Sequence, residues 1–102
     1  MAYLAVAIGV PGEAQAHALS RLLVEEQVAA GTRLSSGISH YRWDGDVREA
    51  YYWTITAFTT DQHLDGIRTL VRERHDDELP GITWQELDAP DEYLTWIDEQ
   101  TR

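Results

Sequence analysis

The stretch Trp43-Asp44-Gly45-Asp46 stands between two long runs of strand-forming residues, and nothing else in the chain limits its fold as strongly. Asp-Gly between β-rich runs is among the strongest short hairpin signals, because both turn positions need a positive φ that these residues tolerate. The run before it, Thr32 to Trp43, reads as extended, with Ser35-Ser36-Gly37 marking a bend or bulge. The return run, Val47 to Thr59, holds Tyr51, Tyr52, Trp53, Thr54, Ile55, Thr56 and Phe58, all strong strand formers. Two strands of more than ten residues are long for a chain of 102, so the hairpin is expected to project beyond its own core. Aromatic residues on both faces of such a projection call for a second partner, read here as another subunit.

The remaining elements fall on either side of this hairpin. Tyr3 to Val10 is continuously apolar and stops at Pro11-Gly12, the pattern of a central strand buried on both faces. From Glu13 to about Ala29 the spacing turns helical, with Ala14, Ala18 and Leu22 four apart and Leu19 and Leu23 beside them. Gly31 marks a stop or the start of the next strand. Thr60 or Asp61 is placed to cap a second helix whose buried stripe is Leu64, Ile67, Leu70 and Val71. Ile82 to Leu87 reads as a short strand. Pro90-Asp91-Glu92 starts a last helix, with acids at the positive end of its dipole. The order is β-α-β-β-α-β-α within one domain, 1–102: an α+β, ferredoxin-like βαββαβ sandwich with an extra C-terminal helix.

Composition narrows the function. Eighteen acids against eight bases give a net charge of −10, and every base is arginine. Such a surface repels nucleic-acid phosphates and anionic membranes, and draws in cations or basic partners. With no cysteine in the chain, disulfides, zinc fingers, thiolate metal sites and cysteine nucleophiles are excluded. The apolar start has no basic flank and is too short to span a bilayer, so it reads as a strand and the expected compartment is the cytoplasm.

Several short blocks resemble the CutA family of divalent-cation tolerance proteins. They are Leu23-Val24-Glu25-Glu26-Gln27-Val28-Ala29-Ala30, then Tyr41-Arg42-Trp43-Asp44-Gly45, Thr59-Thr60, His75 followed by Leu79-Pro80, and Glu92-Tyr93-Leu94-Thr95-Trp96-Ile97. The resemblance implies a ferredoxin-like fold in a tight homotrimer similar to that of PII signalling proteins, with hairpin strands paired across subunits. It also implies a cytoplasmic role linked to divalent metals, copper above all, with no agreed catalytic residues. The chain departs from the family pattern where chemistry is concerned. Gly31 replaces a frequent cysteine, Ile8 and Gly9 stand where some members place another, and Phe58 replaces a common lysine. The usual His-Pro-Tyr becomes His75-Asp76-Asp77. A soft Cys/His copper(I) site is therefore not open to this sequence.

Two groups of residues are candidates for a site. His75, Asp76, Asp77 and Glu78 join an imidazole to carboxylates, which suits Cu²⁺ or Zn²⁺, although neighbours in sequence rarely all bind one ion and a second subunit would have to add ligands. The competing reading is a solvated acidic loop, with His75 favourable at a helix C-terminus. Arg33, His40, Tyr41, Arg42, Trp43, Tyr51 and Trp53 are expected to line an inter-subunit cleft for a small metabolite, with Arg48 as a further clamp. Their competing role is to pack a trimer interface, where Tyr, Trp and Arg are favoured. Glu13 and His17, spaced i,i+4, are a weak metal pair. No nucleophile elbow, phosphate loop or HExxH occurs, so the chain reads as a binding protein and not an enzyme. The first reading is a CutA-like homotrimer that binds divalent cations. The alternatives are a PII-like module taking a metabolite between subunits, and a trimeric scaffold that has lost the metal site.

Overall fold

Alternation along the first strand organises the molecule. In the computed structural model, which describes residues 1–101, β1 (Tyr3–Val10) buries every second side chain: Leu4, Val6, Ile8 and Val10. The other face carries Tyr3, Ala5, Ala7 and Gly9 and is only half-buried. The expectation of burial on both faces is corrected here. Strand residues alternate between faces, and the helical layer formed by α1 (Glu13–Glu25) and α2 (Leu64–Arg74) covers one of them. On the opposite face α3 (Asp91–Gln100) covers the end near Tyr3 and Ala5, where it packs Ile97, Tyr93 and Leu94 with Phe58 and Ala30.

The remaining strands are β2 (Gly31–Trp43), β3 (Asp46–Thr60) and β4 (Ile82–Glu86). They complete a four-stranded antiparallel sheet in the order β2-β3-β1-β4, which with the three helices gives an α+β fold. The hairpin pairs Gly31 with Phe58 and continues without interruption to Trp43 with Asp46. The bulge expected at Ser35-Ser36-Gly37 is absent: the small residues there leave the ladder intact. Asp44 has φ 51° and Gly45 φ 80°, the left-handed pair that a two-residue turn needs to match strand twist. Thirteen residues at about 3.3 Å each account for the 44 Å long axis, against 23 and 20 Å across. The distal half of the hairpin thus extends past the core, with Ile38, Val47 and Tyr51 exposed on one face and Tyr41 and Trp43 on the other.

Two boundaries differ from the sequence reading. The first helix ends at Glu25, because Gln27 adopts φ 60° and lets Val28 and Ala29 both donate to the Leu23 carbonyl. Its buried stripe is Ala16, Leu19, Ser20 and Leu23, while Ala14 and Ala18 face solvent. Ser20 belongs to the core because its hydroxyl bonds Thr32 Oγ1 at 2.6 Å, a partner that hydropathy cannot reveal. Neither Thr60 nor Asp61 caps the second helix through its side chain: a 3₁₀ turn over Asp61–His63 leads into α2, and Thr60 Oγ1 is buried without a partner among the described residues. Gly31 is the first residue of β2, and an atom of the Trp96 ring lies 3.2 Å from where a Cβ would stand, so the indole occupies the space a side chain would need. Replacing Gly45 by alanine should lower stability by about 1 kcal/mol in urea unfolding, since a Cβ is strained at this φ; an unchanged midpoint would mean that the turn does not hold the hairpin.

Candidate functional site

The unbroken hairpin register decides which side chains can meet. Ser39, Tyr41, Trp43, Arg48 and Tyr52 share the face that the helical layer leaves open, with Tyr41 directly opposite Arg48. The end of β1 adds Gly9, whose missing side chain leaves room for the Tyr52 ring, 3.7 Å from a notional Cβ. The segment after α2 then folds over the same face. Together they enclose a cavity of about 630 Å³, lined by Tyr41, Trp43 and Tyr52, by Arg42 and Arg48, and by Asp76, Asp77 and Glu78 with Leu79. Tyr41 and Tyr52 meet edge to face at 6.2 Å, which fixes the aromatic wall.

A chain of hydrogen bonds holds the acidic segment in place. His75 Nε2–H donates to the Gly9 carbonyl at 2.5 Å, and the Asp77 backbone N–H donates to His75 Nδ1 at 3.0 Å. The two bonds require opposite roles of the ring nitrogens and so select the neutral Nε2–H tautomer. The Tyr52 hydroxyl donates to Asp77 Oδ2 at 2.5 Å. Burial first, then the bond to Asp77 and its charge, push the Tyr52 phenol up from 10.0 to about 12.

The candidates expected from sequence separate accordingly. Of the four residues assigned to a cation, His75 has both nitrogens occupied and Asp77 is engaged with Tyr52. Asp76 and Glu78 remain, and among the described residues no group of three or more His, Asp or Glu side chains is placed to hold a metal. The sequence reading already asked for ligands from a second subunit; within one chain, the turn after α2 uses the imidazole to anchor the loop. Of the cleft residues, Tyr41, Arg42 and Trp43 line the cavity. Arg33 instead lies over the Phe58 ring at 4.9 Å. His40 pairs with Glu49 at 2.9 Å, and Tyr51 bonds Ser36 at 2.7 Å, both on the opposite face of the hairpin. Trp53 packs beside His17 on the helical side, with ring centroids 5.9 Å apart. His17 and Glu13 sit 4.0 Å apart on the exposed surface of α1 with no third ligand given by either. The sequence reading missed Tyr52 as a site residue; its place opposite Gly37 in an unbroken ladder was the only signal for it.

Comparison with known proteins bears on this arrangement. A family model described as CutA1 divalent ion tolerance protein matches residues 4–100. The chain is 33% identical over 98 residues to the divalent-cation tolerance protein CutA of Thermus thermophilus, covering 94% of this chain and 95% of that one. A solved structure of a divalent cation tolerance protein from the same organism superposes with a TM-score of 0.94 at 30% identity, over 98% of this chain and 99% of the other. The periplasmic divalent cation tolerance protein CutA of Archaeoglobus fulgidus superposes with a TM-score of 0.95 over 98% and 99% of the two chains; at 23% identity it speaks for the fold alone.

Two outcomes are expected from the hydrogen-bond chain. His75→Ala leaves the Gly9 carbonyl and the Asp77 N–H without partners and should cost about 1–3 kcal/mol with no metal present, read by thermal unfolding. The raised Tyr52 pKa favours the neutral phenol in the folded protein, so its contribution to stability is complete below pH 10 and is lost as pH rises through about 12. Spectrophotometric titration should therefore show one phenol ionising near pH 12 that disappears in Tyr52→Phe; a titration in which Tyr52→Phe removes an ordinary phenol near pH 10 would contradict the bond to Asp77.

Proposed function

Since the chain belongs to the CutA1 divalent ion tolerance protein family, we propose that it serves divalent-cation tolerance as a non-catalytic, ferredoxin-like homotrimer that holds Cu²⁺ or Zn²⁺ between subunits. The family match over residues 4–100 carries this reading. The site geometry supports the inter-subunit form of it. One chain offers Asp76 and Glu78 as free carboxylates, fewer than the four ligands a tetrahedral zinc takes. A neighbouring copy would supply the remainder. Support for the trimer comes from the hairpin, whose distal half exposes apolar side chains on both faces and gains cover only from other chains.

A second reading is favoured by the aromatic cavity: a PII-like regulatory module that takes a small metabolite beside its hairpin. It uses Tyr41, Arg42 and Trp43 from the expected cleft set, without Arg33, Tyr51 or Trp53.

Calorimetric titration of metal-stripped protein with Cu²⁺ and Zn²⁺, beside light scattering, tests the first reading. The expected result is a trimeric mass and saturable binding that Asp76→Asn with Glu78→Gln weakens at least about tenfold, the loss of one or more charged ligands. Flat heats with a trimeric mass would remove the cation from the site; a monomeric mass would remove the shared site altogether.

A further inference from the structure

The cavity beside the hairpin carries both signs of charge and keeps them apart. Arg48 comes from the open face of the sheet, with Arg42 beside it on the register of the opposite face, while Asp76 and Glu78 come from the segment after α2. Among the described residues neither arginine forms an ion pair with any carboxylate, and Asp76 and Glu78 have no hydrogen-bond partner. Arg42 makes one long bond, 3.4 Å, to the Gly45 carbonyl, and Arg48 makes none. Opposite charges that line one cavity gain from meeting only when no better partner enters between them. Here they stand on separate elements, each held by its own backbone: the arginines by an unbroken ladder, the acids by the His75 and Asp77 bonds. Tyr41, Trp43 and Tyr52 form the wall that joins the two charged ends.

We propose that this cavity binds a small zwitterion with an aromatic or apolar body, of the free amino acid class. Its carboxylate would meet Arg48, its ammonium Asp76 and Glu78, and its side chain the Tyr41–Trp43–Tyr52 wall. A planar guanidinium matches a carboxylate through two parallel bonds, and an ammonium suits paired carboxylates. A volume of about 630 Å³ lies within the range of small-molecule sites, in which apolar walls carry a few placed polar groups. A purely anionic ligand would face the three carboxylates on the rim, and a purely cationic one Arg48, so each single charge leaves one end of the cavity opposed. The inference rests on the ligand-binding reading and names its ligand class; the cation reading stands apart from it.

The test is calorimetric titration of the full chain, in chelator to remove cations, with L-phenylalanine, N-acetyl-phenylalanine and phenethylamine. The first carries both charges, the second lacks the ammonium, and the third lacks the carboxylate. Phenylalanine is expected to bind at least about tenfold more tightly than either analogue, one charge-assisted contact being worth about that factor. Arg48→Gln should bring phenylalanine down to the level of phenethylamine, and Asp76→Asn with Glu78→Gln should bring it down to the acetylated acid. Both variants alter exposed side chains and should melt as the parent does, which a thermal scan verifies. If an analogue binds as tightly as phenylalanine, the zwitterion is overturned while the cavity remains a ligand site. If no probe gives a saturable heat, the ligand-binding reading falls with it.

Discussion

Everything distinctive about this molecule depends on the register of one hairpin. With Trp43 opposite Asp46, the odd-numbered residues of β2 face away from α1 and α2, and Ser39, Tyr41 and Trp43 line the cavity with the segment after α2. A slip by one residue would turn Tyr41 and Trp43 to the other face and replace them with His40 and Arg42. The Asp44-Gly45 turn prevents that slip by fixing two left-handed residues at the tip. Core packing cannot do so, because the distal half of the hairpin has none; its side chains from Ile38 to Tyr51 are largely exposed. A turn of two residues therefore sets the chemistry of the six residue pairs from Ile38–Tyr51 to Trp43–Asp46. At about 3.3 Å per residue they span about half the 44 Å axis.

The second dependency is the loop that follows α2. A chain segment bearing Asp76, Asp77 and Glu78 in a protein of net charge −10 would be expected to stay in solvent, away from other acids. It is drawn onto the sheet because His75 commits both nitrogens to backbone groups, one on β1 and one on its own loop, while Tyr52 takes Asp77. The histidine that looked most like a metal ligand thus acts as a brace. Using it as a ligand would cost the bond to Gly9 or the bond from Asp77, each worth about 1 kcal/mol net and more if the partner is left dry. This is the physical reason to place a cation between copies, where Asp76 and Glu78 can contribute without disturbing the brace.

Much of the fold was legible because its signals are local. The Asp-Gly turn, the apolar run of β1, the Ile67–Val71 stripe and the Pro90 boundary each lie within a few residues. What failed to read was decided at a distance. Ser20 is a core residue through Thr32, twelve positions on; the first helix stops at a left-handed Gln27, where glycine is usual; and the small residues at Ser35-Ser36-Gly37 mimic a bulge but serve a straight ladder. The site divides in the same way. Tyr41, Arg42 and Trp43 were recognisable from their place before the turn. Arg33, Tyr51 and Trp53 could not be sorted from them, because the side of the sheet on which a residue ends depends on the absence of a bulge. Tyr52, the residue that ties hairpin to loop, could be placed only by its position opposite Gly37 in an unbroken ladder.

Charge decides how the two proposed activities relate. At physiological ionic strength fields decay over about 8 Å, so a ligand approaching this surface feels mainly the nearest groups. Across most of the chain those are carboxylates, which favour cations and repel anions. Arg48 is a local exception, unpaired with any acid among the described residues and facing three carboxylates across one cavity. A free anion would be turned away before reaching it. A molecule with no net charge meets no such barrier, and once inside finds both of its ends complemented. Cations and zwitterions are the two classes that the same acidic surface admits, and both would compete for Asp76 and Glu78. Loading either one should therefore weaken the other, a reciprocal coupling that follows from shared ligands without any change of shape.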